Sequence, residues 1–141
     1  MVDLESVEIK FVDSWNSEEI VELYKEGSWW DKGSDASFIP KLIKQSFVFV
    51  VALDVTSGEA IGMGRVISDG VSDAYIQDVV VSKKWRGHGV GRLIIDRLVS
   101  YCLSHNVAWI ALISEPDQEG FYIPLGFTEM KRYTPLKYGT V

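Results

Sequence analysis

Arg86-Gly87-His88-Gly89-Val90-Gly91 lies between an apolar, β-like run ending Asp78-Val79-Val80-Val81 and a helix-like run beginning Arg92-Leu93-Ile94. Glycines let a backbone approach a ligand without Cβ clashes, and the free N–H groups that open a helix carry partial positive charge. Strand, glycine loop and helix in that order make a place for a phosphate or pyrophosphate. Lys83, Lys84, Arg86, His88, Arg92 and Arg97 gather around the same loop, in a chain whose formal net charge is -6. Spacing excludes two phosphate-binding loops. Counting from Gly87, the third glycine of a dinucleotide fingerprint falls on Arg92, and about twenty residues on stands Ala111 or Leu112 instead of a ribose-binding acid. The Gly-Lys-Ser/Thr ending of a nucleoside-triphosphate loop is absent. Taken alone, the loop also reads as a tight turn before a helix with a solvated charge cluster beside it.

Arg86-x-x-Gly89-x-Gly91 resembles the coenzyme A pyrophosphate loop of the GNAT superfamily of N-acetyltransferases, written in that family as Gln/Arg-x-x-Gly-x-Gly/Ala. One helix and one strand later, Phe121-Tyr122-Ile123-Pro124-Leu125-Gly126-Phe127 matches the family's Phe-Tyr-x-x-x-Gly-Phe segment. The resemblance runs from a first strand near Val7 to a last strand near Tyr133, with residues 13–46 matching least. It implies a single α/β domain over residues 1–141, with a central mixed sheet whose parallel strands splay apart between flanking helices. It also implies acetyl-CoA as cofactor. Val79, Val80 and Val81 would then border the pantetheine and acetyl groups through their main chain, their side chains remaining free to pack. The amides of Arg86, Gly87, His88, Gly89, Val90, Gly91 and Arg92 would hold the pyrophosphate. Glu115 stands seven residues before Tyr122, where many family members carry an asparagine that contacts the cofactor.

Acetyl transfer from a thioester to an amine needs an unprotonated amine, a stabilised oxyanion and a proton for the leaving thiolate. Tyr122 is the candidate acid, since ordinary values of about 10 for tyrosine and about 8.5 for a thiol are close enough for transfer in a short hydrogen bond. A backbone N–H near Val79 would polarise the carbonyl if the strand is bulged there. Asp78 and Glu115, at or near the ends of the two cleft strands, are the candidate bases. Simple alternation places Asp78 with apolar Ile76 and Val80 unless a bulge rotates it. Glu115 is either an altered cofactor contact or a carboxylate near the amine. For the acceptor, Tyr24, Trp29 and Trp30 stand in the variable segment, and adjacent tryptophans cannot both face one core. One of them is expected to be partly exposed, either lining a pocket for an aromatic or cationic amine or plugging a loop.

Elements must hold these groups in place. Val7, Ile9 and Phe11 alternate with polar residues as a half-buried first strand. Asn16 with Glu19 three residues on is an N-cap signal before Ile20, Leu23 and Tyr24, giving a helix that ends near Gly27. A second short helix carries Ile39, Leu42 and Ile43, with Pro40 in its first turn. Phe47–Leu53 and Ile61–Ser68 read as an antiparallel pair, followed by Ala74–Val81. A long helix carries Val90, Ile94, Leu98 and Tyr101 on one face. Val107–Ile113 is a strand parallel to Ala74–Val81, because a helix crosses between them. Phe121 and Tyr122 fall on a short helix, Phe121 as core, and Phe127–Tyr133 is a final strand. His105 is structural, a cation at a helix end.

Composition narrows the function. At 141 residues the chain is one domain able to bury its own core. Its acidity argues against nucleic acid or an anionic membrane as partner. Cys102 is the single cysteine, so there is no disulfide framework, and it reads as a packed thiol. No apolar run reaches the roughly 18 residues of a membrane span, and the acidic start is unlike a signal sequence, so the cytoplasm is expected. No metal site is expected, and a homodimer is compatible. The leading reading is an acetyl-CoA-dependent N-acetyltransferase of a small amine. Its rivals are an acetyltransferase of a protein or peptide amino group and a non-catalytic acyl-CoA-binding module.

Overall fold

A computed structural model describes residues 4–140. The chain divides into two compact units, the first ending at Ala111 and the second beginning at Leu112. The first holds β1 (Val7–Phe11), α1 (Ser17–Glu26), α2 (Ile39–Gln45), β2 (Val48–Asp54), β3 (Ala60–Ser68), β4 (Asp73–Val81), α3 (Val90–Ser104) and β5 (Trp109–Ala111). The strands form one sheet in the order β1-β2-β3-β4-β5. Neighbours are antiparallel through β4, and β5 lies parallel to β4 as the crossover helix requires. No helix among the described residues is long and apolar enough to cross a membrane.

Local signals explain most element starts. Asn16 Oδ1 accepts the Glu19 N–H at 3.0 Å, capping α1. Glu19 does not return the bond as a capping box would. Its Oε1 accepts the Ala60 N–H at 2.7 Å and ties the start of α1 to the start of β3. Pro40 sits in the first turn of α2, where its missing N–H leaves no bond unmade.

The sheet buries both faces. On one, Ile20, Leu23 and Tyr24 of α1 and Ile39 and Ile43 of α2 pack on Phe49, Val51, Met63 and Val80. On the other, α3 buries Val90, Ile94, Ile95, Leu98 and Cys102. Gly62 and Gly64 alternate along β3 beneath this helix, and a Cβ on Gly64 would stand 2.8 Å from Ile94 Cγ2 and 3.0 Å from Leu98 Cδ1. The missing side chains let α3 approach the sheet closely. Burial pushes the Cys102 thiol up, consistent with an inert packed residue. His105 ends α3 with its Nδ1 2.8 Å from the Tyr101 carbonyl and its ring stacked on Tyr101 at 4.1 Å.

Two expected strands differ. The Val107–Ile113 run pairs only over Trp109–Ala111. Phe127–Tyr133 forms no strand: Tyr133 N–H donates to the Met130 carbonyl at 3.2 Å, and Arg132 takes φ 74, so the segment closes as a turn. The second unit contains α4 (Glu119–Tyr122) and a single 3-10 turn, Ile123–Leu125, ended by Gly126 at φ 104. That left-handed glycine turns the chain so that Phe127 meets Tyr122 edge-on at 5.8 Å. Phe121, expected in the core, is exposed and packs its edge on Tyr122 at 4.9 Å.

The packing under α3 predicts a sharp contrast between two glycines. Gly64→Ala should cost about 1–3 kcal/mol in a denaturant titration, because Ile94 Cγ2 cannot swing aside without repacking the helix. Gly33→Ala, with open space around its Cβ, should leave the midpoint unchanged or slightly raised.

Candidate active site

The site begins with an irregularity in β4. Arg65 pairs with Gln77 and Met63 with Val80, so Gly64 alone faces both Asp78 and Val79. This is a β-bulge, and Asp78 occupies it at φ 58, in the left-handed region that aspartate tolerates better than most side chains. The extra residue changes which way the strand faces. Val79 lies against Gly64 on the α3 side, 3.3 Å from where its Cβ would be, while Val80 joins the core under α1. Asp78 is thereby turned out of the Ile76 face, which simple alternation would have given it, and onto the side of Arg65 and Tyr24.

There it is held by two donors on one oxygen. Arg65 Nε donates to Asp78 Oδ2 at 2.7 Å and Tyr24 Oη donates to the same atom at 2.8 Å. Both ion-pair side chains are mostly buried. Asp78 Oδ1 has no hydrogen-bond partner among the described residues. Burial, then the Asp78 charge, push the Tyr24 hydroxyl well above the ordinary tyrosine value, so it stays a donor. Tyr24 is buried and its hydroxyl is spent on Asp78, so it orients the carboxylate and does not line a surface pocket. Arg65 was not among the residues expected from sequence. A lone cation within the apolar run from Ile61 to Ser68 was the available signal, since a charge in a buried strand needs a partner.

β4 then runs free of β5. Pairing stops at Tyr75 opposite Ala111, and Ile76–Val81 continues without a strand partner on that side among the described residues. The chain passes through a short turn, Lys83–Trp85, into the glycine loop. Gly87 and Gly89 take φ 78 and 90, and no atom lies within 4 Å of a Cβ built on Gly87. Gly89 caps α3 with no side-chain bond, and no amide from Gly87 to Arg92 has an acceptor among the described residues. An anion fits that cradle on backbone alone. Arg86 does something else. Its Nε donates to the Val81 carbonyl at 2.9 Å and its Nη2 to the Glu26 carbonyl at 3.1 Å, bracing loop, strand and α1. The Val81 carbonyl, expected along the pantetheine, is thus already engaged.

In the second unit Tyr122 is half-buried. Burial, then the charge of Glu115, raise its hydroxyl above the ordinary value. The tryptophan pair divides as expected: Trp29 is 37% exposed, whereas Trp30 packs against the core and stacks on Phe38 at 5.8 Å. Both rings meet Tyr24, Trp29 edge-on at 6.3 Å and Trp30 at 6.1 Å. Among the described residues no cluster of histidine, cysteine, aspartate or glutamate has the makings of a metal site.

The Tyr24 bond has a pH signature. A hydroxyl whose value is raised by folding contributes stability in full below the unfolded value of about 10, and that contribution is lost as pH rises toward the folded value. Melting curves from about pH 8 to about pH 11 should therefore show wild type losing more stability than Tyr24→Phe. Near neutrality the variant should be less stable by about 1.5–3 kcal/mol, the worth of one hydrogen bond to a charged acceptor.

Comparison with known proteins agrees with this architecture. The Acetyltransferase (GNAT) domain model matches residues 44–129. Serotonin N-acetyltransferase 2, chloroplastic, of Oryza sativa subsp. japonica is 40% identical over 72 residues, covering 51% of this chain and 36% of that protein. The chain thus spans about a third of the length of this curated relative. A probable acetyltransferase of unknown function from meticillin-resistant Staphylococcus aureus superposes with a TM-score of 0.80 at 22% identity, over 96% of this chain and 99% of that one. AAC(6')-Iy, solved in complex with the bisubstrate analogue CoA-S-monomethyl-acetylneamine, superposes with a TM-score of 0.75 at 17% identity, over 95% and 99%. These two likenesses speak to the fold, and the family model to descent. The chain belongs to the GNAT acetyltransferase domain family.

Proposed function

We propose that the protein transfers an acetyl group from acetyl-CoA to the amine of a small molecule. The observation that carries this reading is the bulged, unpaired end of β4 running into a glycine loop whose amides have no acceptor. Acetyl-CoA, when bound, supplies the acetyl group as an activated thioester. The amides from Gly87 to Arg92 would hold its pyrophosphate, and the main chain of Val79 would border the acetyl end, with an N–H at the bulge polarising the carbonyl. The Val80 side chain is committed to the core.

Two side chains handle protons. Asp78 Oδ1, opposite the oxygen fixed by Arg65 and Tyr24, accepts the proton of the incoming amine. Tyr122 Oη donates to the leaving sulfur. Its raised value keeps it protonated through neutral and mildly alkaline pH, so the acid form is always present. Glu115 acts through that charge: its carboxylate helps to hold the proton on Tyr122.

Tyr122→Phe should keep acetyl-CoA binding, read by calorimetry, and lower kcat by on the order of tenfold or more. Unchanged turnover with chemistry rate-limiting would remove Tyr122 from the mechanism. Glu115→Gln should move the alkaline limb of kcat to lower pH, because one of the two causes of the raised Tyr122 value is gone.

The loop has its own test. Acetyl-CoA in excess should raise the melting temperature of the wild type by mass action. Gly89→Glu should abolish that rise, since it forces a side chain onto a left-handed residue and sets a negative charge in the anion cradle. A melting temperature indifferent to millimolar cofactor, roughly a saturating level for ligands of this kind, would refute the reading.

A further inference from the structure

We infer that the acceptor amine also carries a carboxylate and an apolar group, so that its simplest form is an apolar or aromatic amino acid. This rests on the acetyltransferase reading. An open surface groove with about 380 Å³ of space lies between α2 and the end of β3, within the first unit, lined by Phe38, Lys41, Leu42, Arg65, Ile67 and Ser68 among others. That volume suits a small molecule. Neither Trp29 nor Trp30, the acceptor residues expected from sequence, borders it.

Its lining has two parts of different chemistry. Phe38 and Ile67 are 44% and 45% exposed beside Leu42, an apolar wall with room against it. Lys41 and Arg65 supply two cations, in a chain whose net charge is -6. Arg65 spends its Nε on Asp78 and its guanidinium also meets the Tyr24 hydroxyl, which leaves further N–H groups of the five-donor fork for a second oxygen acid. Lys41 pairs with no acid among the described residues.

Arg65 joins this groove to the proposed base. On one side of it stands Asp78, with Oδ1 available to an amine, and on the other the cationic wall. A carboxylate and a guanidinium side by side complement an ammonium and a carboxylate side by side. The apolar group of such a ligand would lie over Phe38, Leu42 and Ile67. An amine without the acid would leave Arg65 and Lys41 facing its hydrocarbon.

Matched pairs test this: L-phenylalanine against phenethylamine, and L-tryptophan against tryptamine. Acetyl-CoA-dependent thiol release gives kcat/KM, and calorimetry with coenzyme A present gives affinity. The acid-bearing member of each pair should be preferred at least about tenfold in both readouts, and Lys41→Glu should cut that preference by about the same factor. Preference for the decarboxylated amines, or a preference that Lys41→Glu does not move, would overturn the inference and leave the acetyltransferase reading intact. If acetyl-CoA binds but no amine in any panel is acetylated, the acetyltransferase reading falls, and the calorimetric ratio alone decides whether the groove selects a carboxylate. No measurable affinity for either member overturns the inference as well.

Discussion

The hydrogen-bonded ion pair between Arg65 and Asp78 fixes the point from which both faces of the sheet are counted. Strand side chains alternate with period two, so inserting one residue exchanges the faces of everything beyond it. With the bulge at Asp78, Val79 faces α3 and Val80 faces α1, and each fills its own core. Were Asp78 to relax into regular pairing, one of these valines would leave its core and the other would enter a space already filled. The left-handed backbone at Asp78 costs on the order of 1 kcal/mol or more. Arg65 and Tyr24 offset it by converging on one carboxylate oxygen.

The second constraint is closeness. Gly62 and Gly64 let α3 settle on β3, and this sets where the helix begins relative to the end of β4. Arg86 then closes the short distance between them by holding the Val81 and Glu26 carbonyls. The arginine of the glycine loop thus works as a brace at a joint of β4, α1 and α3, so an anion in the loop would be held by its amides. A basic cluster in sequence does not distinguish these roles, because both place cations at the same positions.

What the sequence made legible follows from the range of the forces involved. Asn16, Gly27, Pro40 and the apolar spacings of α1 and α3 act within a few residues, and those elements formed as read. The bulge was visible only as a condition, since Asp78 between Ile76 and Val80 fits a strand only if the alternation breaks. Its holder Arg65 lies on a neighbouring strand, and nothing local tells an arginine of an apolar strand which carboxylate it will meet. Strand pairing is equally nonlocal. Thr128 to Tyr133 has residues that suit a strand, yet it bends into a turn with Arg132 left-handed. The tryptophan pair was read correctly as unequal in exposure, and spacing did not mark the groove beside Phe38.

Tyr24 and Tyr122 show how environment separates two chemically identical groups. Both hydroxyls are raised first by burial and second by a carboxylate, Asp78 for one and Glu115 for the other. A raised value alone therefore cannot tell an acid from a strut. Geometry does. The Tyr24 proton lies in a 2.8 Å bond to Asp78 Oδ2, an oxygen that also accepts Arg65, so releasing it would leave a phenolate beside a carboxylate. Its proton is committed to positioning. Tyr122 meets Glu115 as a charge that raises its value, and its ring is fixed edge-on by Phe121 and Phe127. A tyrosine held by its ring keeps its hydroxyl for a ligand, whereas one held by its hydroxyl has none to give.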